Sequence, residues 1–287
     1  MVINMKKEQT VQRLNALKRY LYDKIKMASL RSAIKSQGLH TLFCKLTSIA
    51  PDIGDQYTNS EIESDFWVTK VRALHSFQIS LVEKAIKRLT VVHNNKLALV
   101  DIGDSSGTHA LYLRSLYDNI SILSVNLDAE AVAKIRKKGL DAIHARAEDI
   151  ESYSIKADIY MSFEMLEHLS DPAQFLHKLS KNTQCGAFVI SVPYLEKSRI
   201  GLHHIRKSIF KPHFAENTHL FELSPTDWQL IFKHAGWSVY FDQIYFQYPK
   251  CHYLRILKQY WKNNDYEGFY GAILIKDTTY SDLYKDW

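Results

Sequence analysis

The sequence predicts an α/β fold, a seven-stranded and mostly parallel β-sheet with helices on both faces, preceded by an N-terminal helical extension. From residue 97 onward, short apolar runs alternate with amphipathic segments, and this alternation is typical of parallel strands joined by crossover helices. Before that point, apolar residues recur every three or four positions, which is the helical period. We therefore predict an extension over residues 1–90 and a sheet domain over residues 91–287.

Two long helices are predicted in the extension, at residues 8–36 and 62–90. Their apolar residues keep the helical period: Val11, Leu14, Leu17, Leu21, Ile25 and Ala28 in the first, and Phe66, Val71, Leu74, Phe77, Leu81 and Ile86 in the second. The breakers Gly38, Pro51 and Gly54 fall between the two helices. They predict a connection that holds one short helix.

Seven short apolar runs predict the strands of the sheet domain. They lie at residues 97–102, 121–125, 142–145, 158–163, 186–192, 237–246 and 269–275. Helices between them begin at the capping residues Asp128, Asp171 and Ser224, and Gly139 and Gly236 end two of them. The last two strands lie too close in sequence for the usual crossover helix, so we expect a hairpin-like, partly antiparallel ending.

Composition excludes several classes of protein. Cys44, Cys185 and Cys251 are few, odd in number and far apart, so neither a disulfide framework nor a thiolate zinc site is expected. No apolar run approaches the roughly 18 residues that span a bilayer, and no apolar signal core follows the basic N-terminus. The sequence therefore indicates a protein of a reducing, cytoplasmic compartment.

Positive charge is concentrated at the N-terminus. Residues 1–40 hold nine Lys/Arg against Glu8 and Asp23, a net charge of +7, whereas the whole chain is +6. The remainder is thus −1, which argues against nucleic acid as a partner. The basic helix fits contact with a membrane surface or a protein partner, or packing as a lid or in a homodimer, and these alternatives stay open.

The turn after the first predicted strand holds the first candidate ligand-binding residues. Asp101, Gly103 and Gly107 stand in the run Asp101-Ile102-Gly103-Asp104-Ser105-Ser106-Gly107, where glycines let the backbone approach a ligand and leave helix amides to donate. This turn resembles the Asp-x-Gly-x-Gly-x-Gly motif of the class I S-adenosylmethionine (SAM)-dependent methyltransferases, with Ser105 in place of the middle glycine. The glycine spacing of dinucleotide-binding dehydrogenases is absent.

Three further segments carry the resemblance, which spans roughly residues 97–245. Asn126 stands where that family has an acid for the cofactor ribose, and Ala147 with Glu148 stands where it contacts the adenine. Phe163-Glu164-Met165-Leu166-Glu167-His168-Leu169-Ser170-Asp171-Pro172 is similar to the Glu-x-x-Glu-His-Leu-x-Asp-Pro stretch of one branch. The resemblance implies a Rossmann-like fold that binds SAM through Asp101, Gly103, Ser105, Gly107, Asn126, Ala147, Glu148, Phe163 and Glu164.

The same stretch offers groups for catalysis or for a metal. Glu164, Glu167 and His168, with His219 further on, are a competent ligand set for Mg²⁺ or Mn²⁺, and the resemblance extends to relatives that hold a metal this way. Alternatively, Glu164 and His168 line the methyl-donor pocket and Glu167 packs locally. His168 or His219 is the expected general base, and a structural role for each histidine stays open.

The function expected from the resemblance is O-methylation of a small molecule or a sugar or glycan intermediate, in polysaccharide or secondary-metabolite biosynthesis. Residues 195–222, an insertion, and residues 247–268 are expected to shape the acceptor pocket. Two alternatives remain: a metal-assisted RNA-terminal 2′-O-methyltransferase, and a non-catalytic binding protein on the same fold. Ser105 and Asn126, which depart from the family motif, favour the second of these.

Overall fold

The computed structural model describes residues 2–57, 61–90, 96–153, 155–214, 218–249 and 256–284. The helices are α1 (Val2–Ser36), α2 (His40–Ile49), α3 (Asp65–Thr90), α4 (Thr108–Leu116), α5 (Ala129–Lys137), α6 (Pro172–Asn182), α7 (His203–Arg206), α8 (Pro225–His234) and α9 (Ile256–Asn264). The strands are β1 (Leu97–Ile102), β2 (Ile120–Asn126), β3 (Asp141–His144), β4 (Ile159–Phe163), β5 (Ala187–Pro193), β6 (Arg199–Ile200), β7 (Phe221–Glu222), β8 (Trp237–Phe246) and β9 (Gly268–Lys276). Three 3₁₀ helices lie at Ala147–Tyr153, Leu166–His168 and Ser281–Leu283.

One seven-stranded sheet runs in the order β3-β2-β1-β4-β5-β9-β8. The first five of these strands pair in parallel, and β9 is antiparallel to both β5 and β8. The predicted strands are thus confirmed to within one residue at each end, as is the antiparallel ending. The expectation that no helix fits between the last two strands was wrong, because α9 lies between β8 and β9. Strands β6 and β7 form a separate two-stranded sheet inside the predicted insertion.

The sheet buries a core on each face because successive side chains of a strand point to opposite sides. In β1, Leu97 and Leu99 join the core beneath α3 and α4, while Val100 and Ile102 join the core beneath α6 and α8. The predicted helix caps are present as well: the Asp128 carboxylate accepts from the Glu130 amide, and that of Asp171 accepts from the Gln174 amide. The doubly covered sheet is therefore confirmed.

The extension is not a separate unit throughout its length. Helix α3 buries residues that include Phe77, Leu81 and Ile86 in the core shared with β4 and β5, so we place residues 65–90 with the sheet domain. Helix α1 packs on α3, but the side chains of residues 2–16, 18 and 19 lie outside the described part of the structure. Within the described residues, no helix combines the length and apolar content needed to cross a bilayer.

Candidate functional site

A cavity of about 740 Å³ opens at the carboxyl ends of β1, β2 and β4. It lies where the strand order reverses between β1 and β4, which is the usual ligand site of a doubly wound sheet. The lining includes eight of the nine predicted cofactor-binding residues: Asp101, Gly103, Ser105, Asn126, Ala147, Glu148, Phe163 and Glu164. Gly107 is the exception, because it starts α4 and packs against Leu140 and Ile135 behind the loop.

The loop after β1 passes close to the segment after β4. Gly103 has a φ of 96°, and a Cβ built there would lie 3.0 Å from Met165 Cγ and 3.3 Å from Met165 Cβ. Both the positive φ and this proximity disfavour any other residue. The Gly103 amide donates to the Val125 carbonyl at 2.8 Å, which ties the loop to β2. The backbone at Gly103 therefore forms a narrow, glycine-dependent edge of the cavity.

Asn126 is already engaged within the protein. Its Nδ2 donates to the Asp104 carbonyl at 2.9 Å, and its Oδ1 accepts from the Asp128 amide at 2.7 Å. The buried Asp104 carboxylate in turn accepts from the Gly107 amide and the Ser124 hydroxyl, each at 2.8 Å. An amide at position 126 thus joins β2 to the glycine loop with a donor that a carboxylate lacks.

Ser105 binds the chain that precedes α3. Its hydroxyl donates to the Gln56 carbonyl at 2.7 Å and accepts from Gln56 Nε2 at 3.1 Å. The Lys138 ammonium binds both the Ser106 carbonyl and the Asp55 carboxylate, each at 2.9 Å. Residues 55 and 56 are therefore fixed against the loop, and Gln56 and Tyr57 become part of the cavity wall.

A buried polar chain runs beneath the cavity from β1 to β4. Asp101 Oδ2 lies 3.5 Å from His109 Nδ1, and His109 Nε2 lies 2.9 Å from Gln78 Oε1. Gln78 Nε2 donates to the Ser191 hydroxyl at 2.9 Å, which donates to Glu164 Oε1 at 2.8 Å. Both ring nitrogens of His109 therefore face acceptor oxygens. Burial lowers the pKa of His109, but the hydrogen bond to Asp101 and the charge of Asp101 outweigh burial and raise the pKa above its usual value. Helix α3 thereby links the two carboxyl groups.

Both ends of this chain hold protons more tightly than exposed carboxyl groups do. Burial raises the pKa of Asp101 to about 6, aided by the charge of Asp104 and opposed by His109. Burial raises the pKa of Glu164 to about 8, against the hydrogen bond from Ser191 and the charge of Lys70. Glu164 also has a φ of 52°, a strained conformation for a side-chain-bearing residue and one found at functional sites.

Beside Glu164, the structure brings Glu167, His168 and His219 together. One ligand atom of each lies within 4.8 Å of the other two, and the two imidazole rings meet edge to face at 4.7 Å. Both carboxylate oxygens of Glu167 are buried without a hydrogen-bond partner, and burial, then the charge of Glu164, raises its pKa well above normal. Of the four predicted metal ligands, Glu164 lies outside this group, and its Oε1 accepts from the Ser191 hydroxyl.

His219 is oriented by two residues that the sequence did not single out. Its Nδ1 lies 2.7 Å from the Tyr266 hydroxyl and 3.3 Å from Glu222 Oε1, and the Tyr266 hydroxyl donates to that same carboxylate. Hydrogen bonds from His219, Tyr266 and Arg199 outweigh burial and lower the pKa of Glu222 to about 2. Because the Tyr266 hydroxyl donates its proton to Glu222, its oxygen can only accept from His219. Nδ1 of His219 therefore carries a proton, and Nε2 is the basic nitrogen of the ring.

His168 is held by a different contact. Its Nδ1 donates to the Thr218 carbonyl at 3.0 Å, and its Nε2 lies 4.0 Å from Glu167 Oε1. The lining of the same cavity includes an ion pair between Lys70 of α3 and Asp265, and the Lys70 ammonium also lies over the Trp67 ring. Charged, imidazole and aromatic side chains therefore share this cavity.

Some of the site residues that were not predicted could have been identified from the sequence, and others could not. Glu222 lies three residues after His219, and His109 lies two residues after the glycine-rich turn, so both could have been identified as neighbours of predicted positions. Gln56, Gln78 and Tyr266 reach the site from distant segments, and no local pattern marks them. Part of the segment 247–268 expected to shape the pocket, residues 250–255, lies outside the described residues, as does Cys251.

Comparisons with known proteins agree with this geometry. Residues 74–240, more than half of the chain, match a family model described as a methyltransferase domain. A comparison with curated protein sequences gave no match.

Solved structures give the fold a second line of support. The chain is similar to a proposed sarcosine dimethylglycine methyltransferase from Galdieria sulphuraria (11% identity, 74% of this chain and 87% of that one, TM-score 0.54). It is similar to magnesium protoporphyrin IX methyltransferase from Synechocystis with bound S-adenosylhomocysteine (SAH) (11%, 83% and 94%, 0.50). A third similar structure is the [4+2]-cyclase SpnF (14%, 86% and 97%, 0.52).

Proposed function

The chain belongs to the class I SAM-dependent methyltransferases, and we propose that it methylates a hydroxyl oxygen of a small molecule or of a sugar or glycan intermediate. The methyltransferase activity follows from the family, whereas the acceptor does not. The choice of oxygen rests on the chemistry of the cavity. A hydroxyl must lose its proton as it is methylated, so it needs a base, whereas a neutral amine or a thiolate can attack without one.

The residues of the cavity fit SAM. Gly103 leaves room that a Cβ would fill, and the polar side chains of Asn126, Glu148 and Glu164 line the same space. SAM supplies an electrophilic sulfonium methyl group when bound. We propose that the predicted set, Asp101, Gly103, Ser105, Gly107, Asn126, Ala147, Glu148, Phe163 and Glu164, holds it, with Gly107 acting through the loop.

The observation that carries the proposal is the Glu222–Tyr266–His219 arrangement. An ionised carboxylate that orients an imidazole through Nδ1 leaves Nε2 to accept a proton, and a positioned base contributes about 10²–10⁴-fold to rate. We propose that His219 takes the hydroxyl proton. His168, fixed by Thr218 with its ring against His219, then positions the hydroxyl, and alignment of the reacting atoms supplies much of the remaining rate.

The test uses radiolabelled SAM with two matched acceptor panels, one of methyl glycosides and phenols and one of the corresponding amines. We expect label in the hydroxyl panel, and we expect His219→Gln to lower kcat about 100-fold or more while SAM affinity by calorimetry stays unchanged. His144→Gln is the control, because this exposed histidine lies on β3. Transfer to amines alone, or an unaffected His219→Gln, would refute O-methylation with this base.

A second candidate, metal assistance, is favoured by one observation. Glu167 presents two unpartnered buried oxygens beside two imidazoles, and a buried polar group in this state calls for a partner. These residues fit Mg²⁺ or Mn²⁺ as a three-residue set of oxygen and nitrogen ligands, and the ion would lower the pKa of a bound hydroxyl as a Lewis acid. Metal-assisted RNA-terminal 2′-O-methylation is the corresponding alternative acceptor class.

Chelation separates the two candidates. If a cation is required, EDTA abolishes transfer, Mn²⁺ or Mg²⁺ restores it, and Glu167→Gln is inactive at any metal concentration. If His219 acts as the base without a metal, EDTA has no effect. The non-catalytic alternative predicts no methyl transfer in either acceptor panel. Ser105 and Asn126, on which it rested, each make hydrogen bonds that hold the loop in place.

A further inference from the structure

The insertion between β5 and α8 exposes large apolar side chains that the described structure leaves uncovered. Phe210 is 96% exposed, Ile205 64% and Phe214 60%, and Ile200 is exposed as well. These residues lie on and around the short helix α7 and the strand β6. Isolated exposed apolar residues are normal, but a cluster of them marks an interaction site. We name residues 197–214 the insert surface.

Cations accompany these apolar side chains without any acid among them. The insert surface carries Lys197, Arg199, Arg206, Lys207 and Lys211, and no Asp or Glu occurs between residues 197 and 214. All five side chains are exposed, although Arg199 also pairs with Glu222. The chain totals +6, residues 1–40 carry +7 and the insert surface carries +5, so the remaining residues are net −6. The positive charge is thus concentrated on two segments.

Backbone hydrogen bonds join the insert surface and the segment after it to the proposed catalytic residues. The Leu202 amide donates to the His219 carbonyl at 2.8 Å, and the Leu220 amide donates to the Glu167 carbonyl at 2.7 Å. At Gly201 a Cβ would lie 2.1 Å from the His219 carbonyl oxygen, so the two backbones touch. Phe214 itself lines the cavity. A partner on the insert surface therefore sits beside the mouth of the site.

We propose that the insert surface docks on an anionic lipid surface, with Ile205 and Phe210 entering the headgroup boundary and the surrounding cations facing lipid phosphates and carboxylates. Exposed apolar side chains ringed by Lys and Arg are the composition of an interfacial membrane anchor. An RNA partner would be bound by stacking on aromatic rings, whereas only Phe210 and Phe214 among the four exposed apolar side chains carry a ring, and Ile200 and Ile205 do not. An acidic protein would satisfy the cations but does not require an apolar tip as exposed as Phe210.

A bilayer at the insert surface would place the cavity mouth at the lipid boundary. An acceptor anchored in the membrane by a lipid tail would then reach His219 without leaving the bilayer. Docking therefore favours acceptors that carry a lipid tail. Docking itself does not depend on methyl transfer, and a binding assay without SAM or acceptor reads it separately from the proposed function.

The experiment is co-sedimentation of the full-length protein with vesicles of phosphatidylcholine containing about 30% phosphatidylserine, at about 0.15 M salt. We expect binding that pure phosphatidylcholine vesicles do not give. The double substitution Ile205→Ser/Phe210→Ser should weaken partitioning about tenfold or more. Arg206→Gln/Lys207→Gln should weaken it about 25-fold, since each cation contributes about fivefold near an anionic surface. Leu283→Ser is the matched control, because Leu283 is 70% exposed on the far 3₁₀ helix.

Other outcomes would overturn the proposal. If the insert variants sediment like the parent while Leu17→Ser/Leu21→Ser in α1 abolishes binding, the basic N-terminal helix and not the insert surface is the anchor. If the parent does not bind anionic vesicles, or if the insert variants lose affinity for a single-stranded RNA oligonucleotide and not for vesicles, the surface serves another partner. Circular dichroism and SAM calorimetry on each variant confirm that it is folded.

Discussion

Gly103 provides a quantitative test of how the loop after β1 shapes the cavity. Replacing it with alanine adds one methyl group at a φ of 96°, 3.0 Å from Met165 Cγ, whereas apolar carbons normally sit about 3.5–4.0 Å apart. A positive φ costs a non-glycine residue about 1–2 kcal/mol. Crowding of a packed position adds about 1–3 kcal/mol. We therefore expect Gly103→Ala to lower the free energy of unfolding by about 2–5 kcal/mol.

Gly139→Ala isolates the backbone contribution to that loss. Gly139 also has a positive φ, 69°, but nothing lies within 4 Å of an added Cβ. It should lose only about 1–2 kcal/mol. The difference between the two variants, measured by urea denaturation, then reports the contact with Met165. Adding Met165→Ala to each glycine variant completes the cycle, and the coupling should appear only at Gly103.

SAM affinity gives the functional half of the same test. The added methyl group at Gly103 projects beside the cavity, so we expect the Kd for SAM to rise at least about tenfold, which corresponds to about 1.4 kcal/mol. Gly139→Ala should bind SAM within about twofold of the parent. If Gly103→Ala is no less stable than Gly139→Ala and binds SAM equally well, the reasoning about this edge of the cavity is wrong.

Three further predictions concern the polar network. In the presence of EDTA, the free energy of unfolding of the SAM-free protein should fall as pH rises from about 4.5 to about 8, because Glu164 is protonated in the folded chain in that window and ionised in the unfolded chain. Glu164→Gln should reduce this pH dependence by up to about 1.4 kcal/mol per pH unit, and an unchanged slope would contradict the raised pKa. Asn126→Asp, which restores the family's acid, should lower the free energy of unfolding by about 1–3 kcal/mol, because the carboxylate cannot donate to the Asp104 carbonyl. Thermal unfolding measures this loss, and a stabilised variant with tighter SAM binding would show that the hydrogen bond is dispensable. Ser105→Gly, which restores the family's glycine, should destabilise the protein by about 0.5–1.5 kcal/mol through loss of the Gln56 contacts. In a Gln56→Ala background the same substitution should have little effect, and additive losses would mean that the two residues do not interact.

Much of the site was readable from sequence because its motifs are local. Asn126 ends a strand of the parallel sheet, and Gly103, Glu148 and Glu164 each follow one. The carboxyl ends of parallel strands lie along one edge. Their spacing in the sequence was therefore enough to predict that they share a cavity. The predicted metal set was only partly brought together: Glu164 lies outside the cluster of Glu167, His168 and His219, and its Oε1 accepts from Ser191 instead. That bond joins residues 27 positions apart and has no local signature.

The roles of the departures from the family motif were not readable. Serine at position 105 and asparagine at position 126 suggest a weakened cofactor site when viewed one at a time. In the structure both side chains hydrogen-bond to other parts of the chain: Ser105 to Gln56, which precedes α3, and Asn126 to the glycine loop. Such pairings depend on which distant backbone groups are left without partners, and local sequence does not encode that.

Local patterns in the sequence were enough to predict the layered fold, the order of the motifs along the strands and the residues at the proposed methyl-donor end of the cavity, because hydrophobic period, caps and glycine turns act over a few residues. The proposed acceptor end became apparent only in the folded chain. Folding places Glu222 and Tyr266 against His219, leaves both Glu167 oxygens buried without a hydrogen-bond partner, and joins α3 to the site through Gln78. Those contacts join segments far apart in the chain, and the burial that shifts the pKa values of their acids arises only once the layers pack.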